Sequence, residues 1–174
     1  PGEAEACAAT RKVVDTGIDW PCEVHRLYRD GNLGCRRAVA EAITWFFEHV
    51  EEGIILEDDT LPDASFFPFC QELLERYRED PRVMHIGGCN LAAPHMKLKK
   101  SYWFTRHAWI WGWATWRRAW NAYDFEMQTW EERLPVLKRT FATHWEQQYW
   151  LSSWRECRLD PEKANTWDFP WMYS

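Results

Sequence analysis

An uninterrupted apolar run, Gly53-Ile54-Ile55-Leu56, lies between two segments that both have helical periodicity. Before the run, apolar residues recur every three or four positions, at Val39, Ala42, Ile43, Phe46, Phe47 and Val50. After it, the same spacing continues at Phe66, Phe69, Cys70, Leu73, Leu74 and Tyr77. A strand that is apolar on both faces is typical of a buried parallel sheet. The order of elements therefore predicts helical crossovers that connect parallel strands.

Further segments extend this pattern in both directions. Residues 3–14 read as a helix, and residues 22–28 and 83–87 read as strands. Residues 102–106 can form one more strand, and after Gly112 the spacing of Trp113, Trp116 and Trp120 fits a helix. The predicted fold class is α/β: a Rossmann-like, mostly parallel sheet flanked by helices, with a Trp-rich helical C-terminal part, in a single domain over residues 1–174.

Composition narrows the function classes. The chain has 174 residues, a length typical of one domain. Hydrophobic residues make up 46% of the chain, which excludes a protein that is disordered throughout. The net charge of −6 argues against a nucleic-acid partner. The uncharged stretch from His107 to Trp116 is too short to cross a bilayer. None of the six cysteines forms a C-x-x-C pair, so reduced thiols in a cytoplasmic protein are expected, with the membrane periphery as the alternative location.

Three consecutive carboxylates, Glu57-Asp58-Asp59, follow the apolar run directly. Ligand sites in open α/β sheets lie beyond the carboxyl ends of the strands. Carboxylates in that position suit a hard divalent cation that also binds substrate phosphates, and such a cation can neutralise a leaving diphosphate. The alternative is a solvated acidic turn before the next helix, where negative charge is favourable in any case.

The sequence around the triplet resembles a known family. The segments GNLGCRRAV, AITWFF, GIILEDDTLPDASFFPFCQELLERY and DPRVMHIGGCN are similar to the nucleotide-sugar half of GT-A glycosyltransferases, most of all the bacterial family-2-like enzymes. The chain also resembles the animal N-acetylglucosaminyltransferase that starts hybrid N-glycans, and the segments WGWATWRRAW and TWDFPW extend the likeness. The resemblance implies a GT-A-like domain, incomplete at both ends, whose sheet a partner chain can complete.

This resemblance also implies roles on the donor side, in a nucleotide-sugar-binding half over residues 1–100. Asp59 would bind the metal, Mn²⁺ or Mg²⁺, beside the diphosphate of a UDP-sugar. The nucleotide sugar would be held by a set of polar, charged and glycine residues, namely Asn32, Gly34, Arg36, Glu57, Asp58 and Asn90. For Arg36, an exposed helix start is the alternative interpretation.

The acceptor-side half, residues 101–174, would supply the general base. The resemblance places Asp168 in this role, although Phe169-Pro170 replaces the second acid of the family segment. Trp111 and Trp113 would contact a saccharide or other hydroxyl acceptor, with core packing as the alternative. The implied function is a metal-dependent, inverting glycosyltransferase that moves a sugar from a nucleoside-diphosphate donor to a hydroxyl. The alternative is a non-catalytic module that binds carbohydrate or nucleotide sugar.

Overall fold

The computed structural model describes residues 2–91 and 100–174, and the chain divides into two compact units, Pro1–Asp30 and Gly31–Ser174. The first unit contains helix α1, Gly2–Gly17, none of whose residues is buried. Within this unit the Arg11 guanidinium stacks over Tyr28 and donates a hydrogen bond to the carbonyl of Arg29 at 2.6 Å. The strand predicted at 22–28 is not formed, because these residues bond to no neighbouring strand.

The second unit holds the remaining elements. They are α2 (Gly34–His49), β1 (Glu52–Ile55), α3 (Phe66–Tyr77), β2 (Ile86–Gly87), β3 (Trp113–Trp116), α4 (Arg117–Trp120), α5 (Trp130–Thr140), α6 (His144–Leu159), α7 (Pro161–Ala164) and α8 (Asp168–Tyr173).

The sheet has three strands in the order β1-β3-β2, and β3 runs antiparallel to both neighbours. Glu52 pairs with Trp116 at one end of the β1–β3 ladder, and Ile55 pairs with Trp113 at the other. The predicted mostly parallel, Rossmann-like and GT-A-like sheet is therefore wrong. The described chain is mostly helical with one small antiparallel sheet. The physical reason is that β3 enters between β1 and β2, so neither of those strands bonds to a parallel partner.

Strand β3 was expected to be helical. All four of its residues are buried, so its sequence lacks the alternation of polar and apolar residues that marks a half-exposed strand. The tryptophan spacing fits a helix equally well, although α4 begins only at Arg117. Residues 102–106 form no strand, and the strand predicted at 83–87 is limited to β2.

The sheet separates two apolar cores. On one face, α2 packs with residues of β3, α4 and the α8 region, and this core contains Ala40, Ile43, Phe47, Trp113, Ala119, Trp120, Trp167 and Trp171. On the other face, α3 covers β2 and β3 in a core that contains Phe66, Cys70, Leu73, Leu74, Val83, Ile86, Ala114 and Trp116. Because β3 comes from the predicted acceptor-side half and its neighbours from the other half, both halves build one sheet.

Helices α5, α6 and α8 form a third core around Trp154 and Tyr173. The side chain of Thr143 accepts a hydrogen bond from the backbone of Glu146 and so caps α6. Asp160 caps α7 in the same way through the backbone of Lys163, with Pro161 at the first helical position. Helix α8, which begins with Asp168, packs against α6 in this core.

Among the residues described, no helix combines the length and the apolar character needed to cross a membrane.

Candidate active site

The acidic triplet and Asp168 come together in the folded chain. Glu57 is half-buried just beyond β1, while Asp58 and Asp59 are exposed. Burial raises the pKa of the Glu57 carboxyl above its usual value. Three neighbouring negative charges raise this pKa further, those of Asp59, Asp168 and Asp58. The residue predicted as the base and the residues predicted to bind metal and donor thus share one electrostatic environment.

The triplet lies in a turn that the backbone holds, since the amide of Thr60 donates to the carbonyl of Glu57 at 3.0 Å. One carboxylate oxygen of Glu57, Oε1, is buried and has no hydrogen-bond partner. In the described part of the chain, none of the ion pairs includes Glu57, Asp58, Asp59 or Asp168. A buried carboxylate oxygen without a partner beside other negative charges is unfavourable, and a bound cation would relieve this. The side chain of Trp167 relieves part of it, since a hydrogen bond from Trp167 lowers the pKa of Glu57.

These residues fit a hard divalent cation by their chemistry. Carboxylate oxygens are the ligands that Mg²⁺ and Mn²⁺ prefer, and Mg²⁺ commonly uses only one or two of them together with substrate phosphates. Over residues 2–91 and 100–174, no three His, Cys, Asp or Glu side chains are grouped to hold a metal ion by themselves. A cation at Asp59 would therefore share its coordination between the protein and a bound diphosphate.

The turn before α2 is built by Asn32 and Gly34. The side-chain oxygen of Asn32 accepts a hydrogen bond from the amide of Gly34 at 2.8 Å. Gly34 has a φ of +72°, a conformation that L side chains rarely adopt. A Cβ atom at Gly34 would lie 3.0 Å from Oδ1 of Asn165, so only glycine leaves this approach open. Oδ1 of Asn165 also accepts from the amide of Arg36 at 3.2 Å.

The guanidinium of Arg36 is engaged away from this turn. Arg36 is buried, donates to the carbonyl of Phe125 at 3.0 Å and pairs with the carboxylate of Glu126 at 3.1 Å. The same group lies 3.8 Å from the centre of the Phe125 ring. The guanidinium charge of Arg36 is thus paired inside the protein, and the alternative interpretation of Arg36 as an exposed helix start is wrong. A contact between Arg36 and a phosphate would require these bonds to break.

The segment that carries Asp168 is firmly held. Thr166 donates a hydrogen bond from its hydroxyl to the Asp168 carboxylate. Trp167 is buried and its ring stacks on Trp113 with centroids 5.7 Å apart. The hydroxyl of Tyr123 donates to the carbonyl of Trp167 at 2.9 Å. Asp168 itself is half-buried at the start of α8, so its carboxylate has a defined position.

A cleft of about 1260 Å³ has Asp59 among its lining residues. The loop Gly87-Gly88-Cys89-Asn90 after β2 and the tryptophans Trp109 and Trp111 also line it. Trp111 is 46% exposed, and its ring lies nearly parallel to that of Trp109, with centroids 6.1 Å apart. Asn90 and Trp111, both predicted to contact a sugar, therefore share one cavity with the predicted metal ligand.

Trp113 does not line this cleft. It is fully buried in the core and its ring stacks on that of His85, with centroids 4.8 Å apart. Of the two tryptophans predicted to contact the acceptor, only Trp111 offers an accessible ring face, and Trp113 fulfils the alternative of core packing.

Two residues of the site were missed in the sequence. His85 lines the cleft and links it to α8, because the indole of Trp171 donates to its Nδ1 at 3.2 Å. Asn165 joins the end of α7 to the start of α2. A left-handed Asn after a short helix is a recognisable helix end, but no sequence signal connects it to a helix that begins more than a hundred residues earlier.

Compared with known proteins, the chain matches no family model, and neither a curated protein nor a solved structure shows significant similarity to it. The assignment of a function therefore rests on the geometry above and on the resemblance of the sequence segments.

Proposed function

We propose that this protein transfers a sugar from a nucleoside-diphosphate donor to an acceptor hydroxyl in a metal-dependent reaction. The observation that carries the proposal is the convergence of Asp168 with Glu57 and Asp59. These carboxylates come from distant parts of the chain, and the charges of Asp59 and Asp168 add to the effect of burial, which raises the pKa of Glu57. Inverting transfer needs such a pair of functions, a cation site for the leaving group and a separate carboxylate base.

Asp59 is assigned as the metal ligand. It is exposed and lines the cleft, so a diphosphate can approach it, and its carboxylate oxygens are ligands that hard divalent cations prefer. A bound Mn²⁺ or Mg²⁺ would supply charge neutralisation for the departing diphosphate. Glu57 and Asp58 would contact the donor or a water on the cation, and a bound cation would relieve the repulsion among these carboxylates.

Asp168 is assigned as the general base. It is held by Thr166 and by the buried ring of Trp167, so it can accept a proton from an acceptor hydroxyl without reorganising. The deprotonated oxygen attacks the anomeric carbon, the bond from that carbon to the diphosphate oxygen breaks, and the proton stays on Asp168. Trp111 and Asn90 line the cleft together with Asp59 and are assigned to the sugars, whereas Asp168 and Glu57 are not among the described residues that line it.

The test is metal-dependent release of UDP from UDP-sugars, measured with and without Mn²⁺ and a saccharide acceptor. We expect Asp59→Asn to abolish the effect of Mn²⁺ on UDP binding in calorimetry. Asp168→Asn is expected to keep Mn²⁺–UDP binding but to lower the transfer rate by about 100-fold or more. The matched control is Asp63→Asn, an isosteric change in the same cleft, which should leave both properties at the wild-type level.

A second candidate is a non-catalytic carbohydrate-binding module, which the exposed, nearly parallel rings of Trp109 and Trp111 favour. Saccharide binding that EDTA does not change, together with no UDP release from any donor, would replace the transferase proposal with this one. Trp111→Ala should weaken saccharide binding in both cases, so it reports on the acceptor surface and not on catalysis. The glycosyltransferase proposal also includes a cytoplasmic location and a partner chain that adds to the sheet.

A further inference from the structure

Asn165 makes contacts in two directions. Its backbone ends α7 in a left-handed conformation, with a φ of 41°, and its amide donates to the carbonyl of Pro161 at 3.0 Å. Its side-chain oxygen reaches the first turn of α2, where it accepts from the amide of Arg36 at 3.2 Å. Helix α2 has no cap from the residue that precedes it, Leu33. A residue from the far end of the chain therefore satisfies this helix start.

We propose that Asn165 is a positioning residue for Asp168: its side-chain oxygen ties the segment that carries Asp168 to the first turn of α2. The inference rests on the proposed function, in which Asp168 is the base. Asp168 follows Asn165 by three residues, and Trp167 between them is fixed by the core and by Tyr123. The segment is thus anchored on both sides of Thr166, which itself bonds to the Asp168 carboxylate.

The residue type at 165 is explained by two requirements. The left-handed conformation favours Gly, Asn, Asp and His, and the link to α2 requires an acceptor oxygen on a short side chain. Asn and Asp satisfy both requirements, whereas Gly satisfies only the first. Gly34 completes the contact, since its missing Cβ leaves room for Oδ1 of Asn165.

The variants follow from these requirements. Asn165→Gly keeps the backbone conformation and removes the link, and Asn165→Asp keeps both. We expect Asn165→Gly to lower kcat by about 10- to 100-fold, because misplacing a catalytic group by about 1 Å can have an effect of that size, with the KM for the donor unchanged. Asn165→Asp should restore most of the wild-type kcat. Should Asn165→Gly not fold, Asn165→Ala replaces it, since alanine also lacks an acceptor atom and has only a Cβ to place in the left-handed region.

A second measurement does not need activity. Cys35 lies beside the site and is exposed enough to react, although its thiol is partly shielded from water. This shielding raises the pKa of the thiol, and the charges of Glu57 and Asp168 raise it further. Displacement of Asp168 should therefore make Cys35 more reactive. In Asn165→Gly we expect alkylation of Cys35 near pH 8, followed by peptide mass spectrometry, to be about twofold faster than in the wild type. Cys7 and Cys22, which are also exposed, are the internal controls.

The two measurements separate the possible failures. If the wild type releases no UDP, the proposed function fails, and the reactivity of Cys35 still decides the role of Asn165. A variant that loses kcat without a change at Cys35, or that loses only thermal stability, would overturn the positioning role. A loss of kcat with faster alkylation in Asn165→Gly, and recovery of kcat in Asn165→Asp, is the result that supports it.

Discussion

The indole N–H of Trp171 donates to Nδ1 of His85 at 3.2 Å. An indole nitrogen is only a donor, so Nδ1 must be unprotonated. The other ring nitrogen, Nε2, lies 3.1 Å from the carbonyl of Trp109 and donates to it as the neutral tautomer. His85 is therefore fully bonded only while it is uncharged, and burial lowers its pKa to about 4 despite the opposing effect of the Trp109 carbonyl.

Acid should destabilise the protein through His85. Its pKa in the folded chain is lower than the ordinary value of 6.5, so its contribution to stability is present above pH 6.5 and is lost as the pH falls towards 4. The loss is about 1.4 kcal/mol for each pH unit in that window. Urea unfolding followed by tryptophan fluorescence between pH 4.5 and 7.5 measures it. The slope should be smaller in His85→Gln and unchanged in His144→Gln, where the replaced histidine is exposed.

Asp168→Asn should stabilise the protein at neutral pH in the absence of metal. The folded pKa of Glu57 is raised above 4.5, so the free energy of unfolding falls as the pH rises through this pKa. Removing the charge of Asp168 weakens the repulsion, and a gain of a few tenths to about 1 kcal/mol is expected for these partly exposed groups. Urea unfolding at pH 5 and pH 7.5 checks this, with Glu162→Gln as control. An equal loss of stability at both pH values would contradict the repulsion.

Arg36→Lys should act on stability and not on donor binding. Lysine keeps the charge but loses the planar group that contacts Glu126 and the Phe125 ring. A decrease of about 2 kcal/mol in the free energy of unfolding is expected. The exposed neighbour supplies the control, since Arg37→Lys affects only a surface pair with Glu41. A weaker affinity for UDP in Arg36→Lys, at unchanged stability, would instead return Arg36 to the phosphate role.

Gly88→Ala, at a residue that lines the cleft, should lower the stability of the protein. A Cβ there would lie 2.3 Å from the Phe66 ring and 2.9 Å from the carbonyl of Gly112, so the core would have to move, which typically decreases stability by about 1–3 kcal/mol. At Gly87 the nearest atoms would be 3.5 Å away, an ordinary contact. Thermal unfolding of Gly88→Ala and Gly87→Ala compares adjacent positions directly, and equal melting temperatures would show that Phe66 adjusts freely.

Local pattern predicted helices α2 and α3 and the first strand of the larger unit well, and it failed where tertiary contacts decide. Helices α2 and α3 and strand β1 lie where the apolar spacing predicts them, since each buries one face or a short apolar run. Strand β3 carries no comparable signal, because its burial on both sides removes the alternation. The direction of the sheet depends on that strand, so the error in one element changed the predicted fold class.

The candidate site likewise combines residues that the sequence predicted with contacts that it did not predict. The proximity of Asp168 to the triplet accords with the roles that the resemblance assigns, but those roles stay predictions. The buried ion pair of Arg36 depends on Phe125 and Glu126, and the link through Asn165 depends on a helix end far along the chain. Such contacts between distant segments leave no periodic trace in the sequence.

The middle position of β3 determines when the sheet can form during synthesis on the ribosome. Strands β1 and β2 are made first, yet in the described fold each pairs only with β3, which is translated later. The backbone groups of β1 and β2 therefore lack their partners in the sheet until Trp116 has left the exit tunnel. Closing these long loops slows folding, and a chaperone or a nascent helix that covers Ile54 and Ile86 during that interval would protect the growing chain from aggregation.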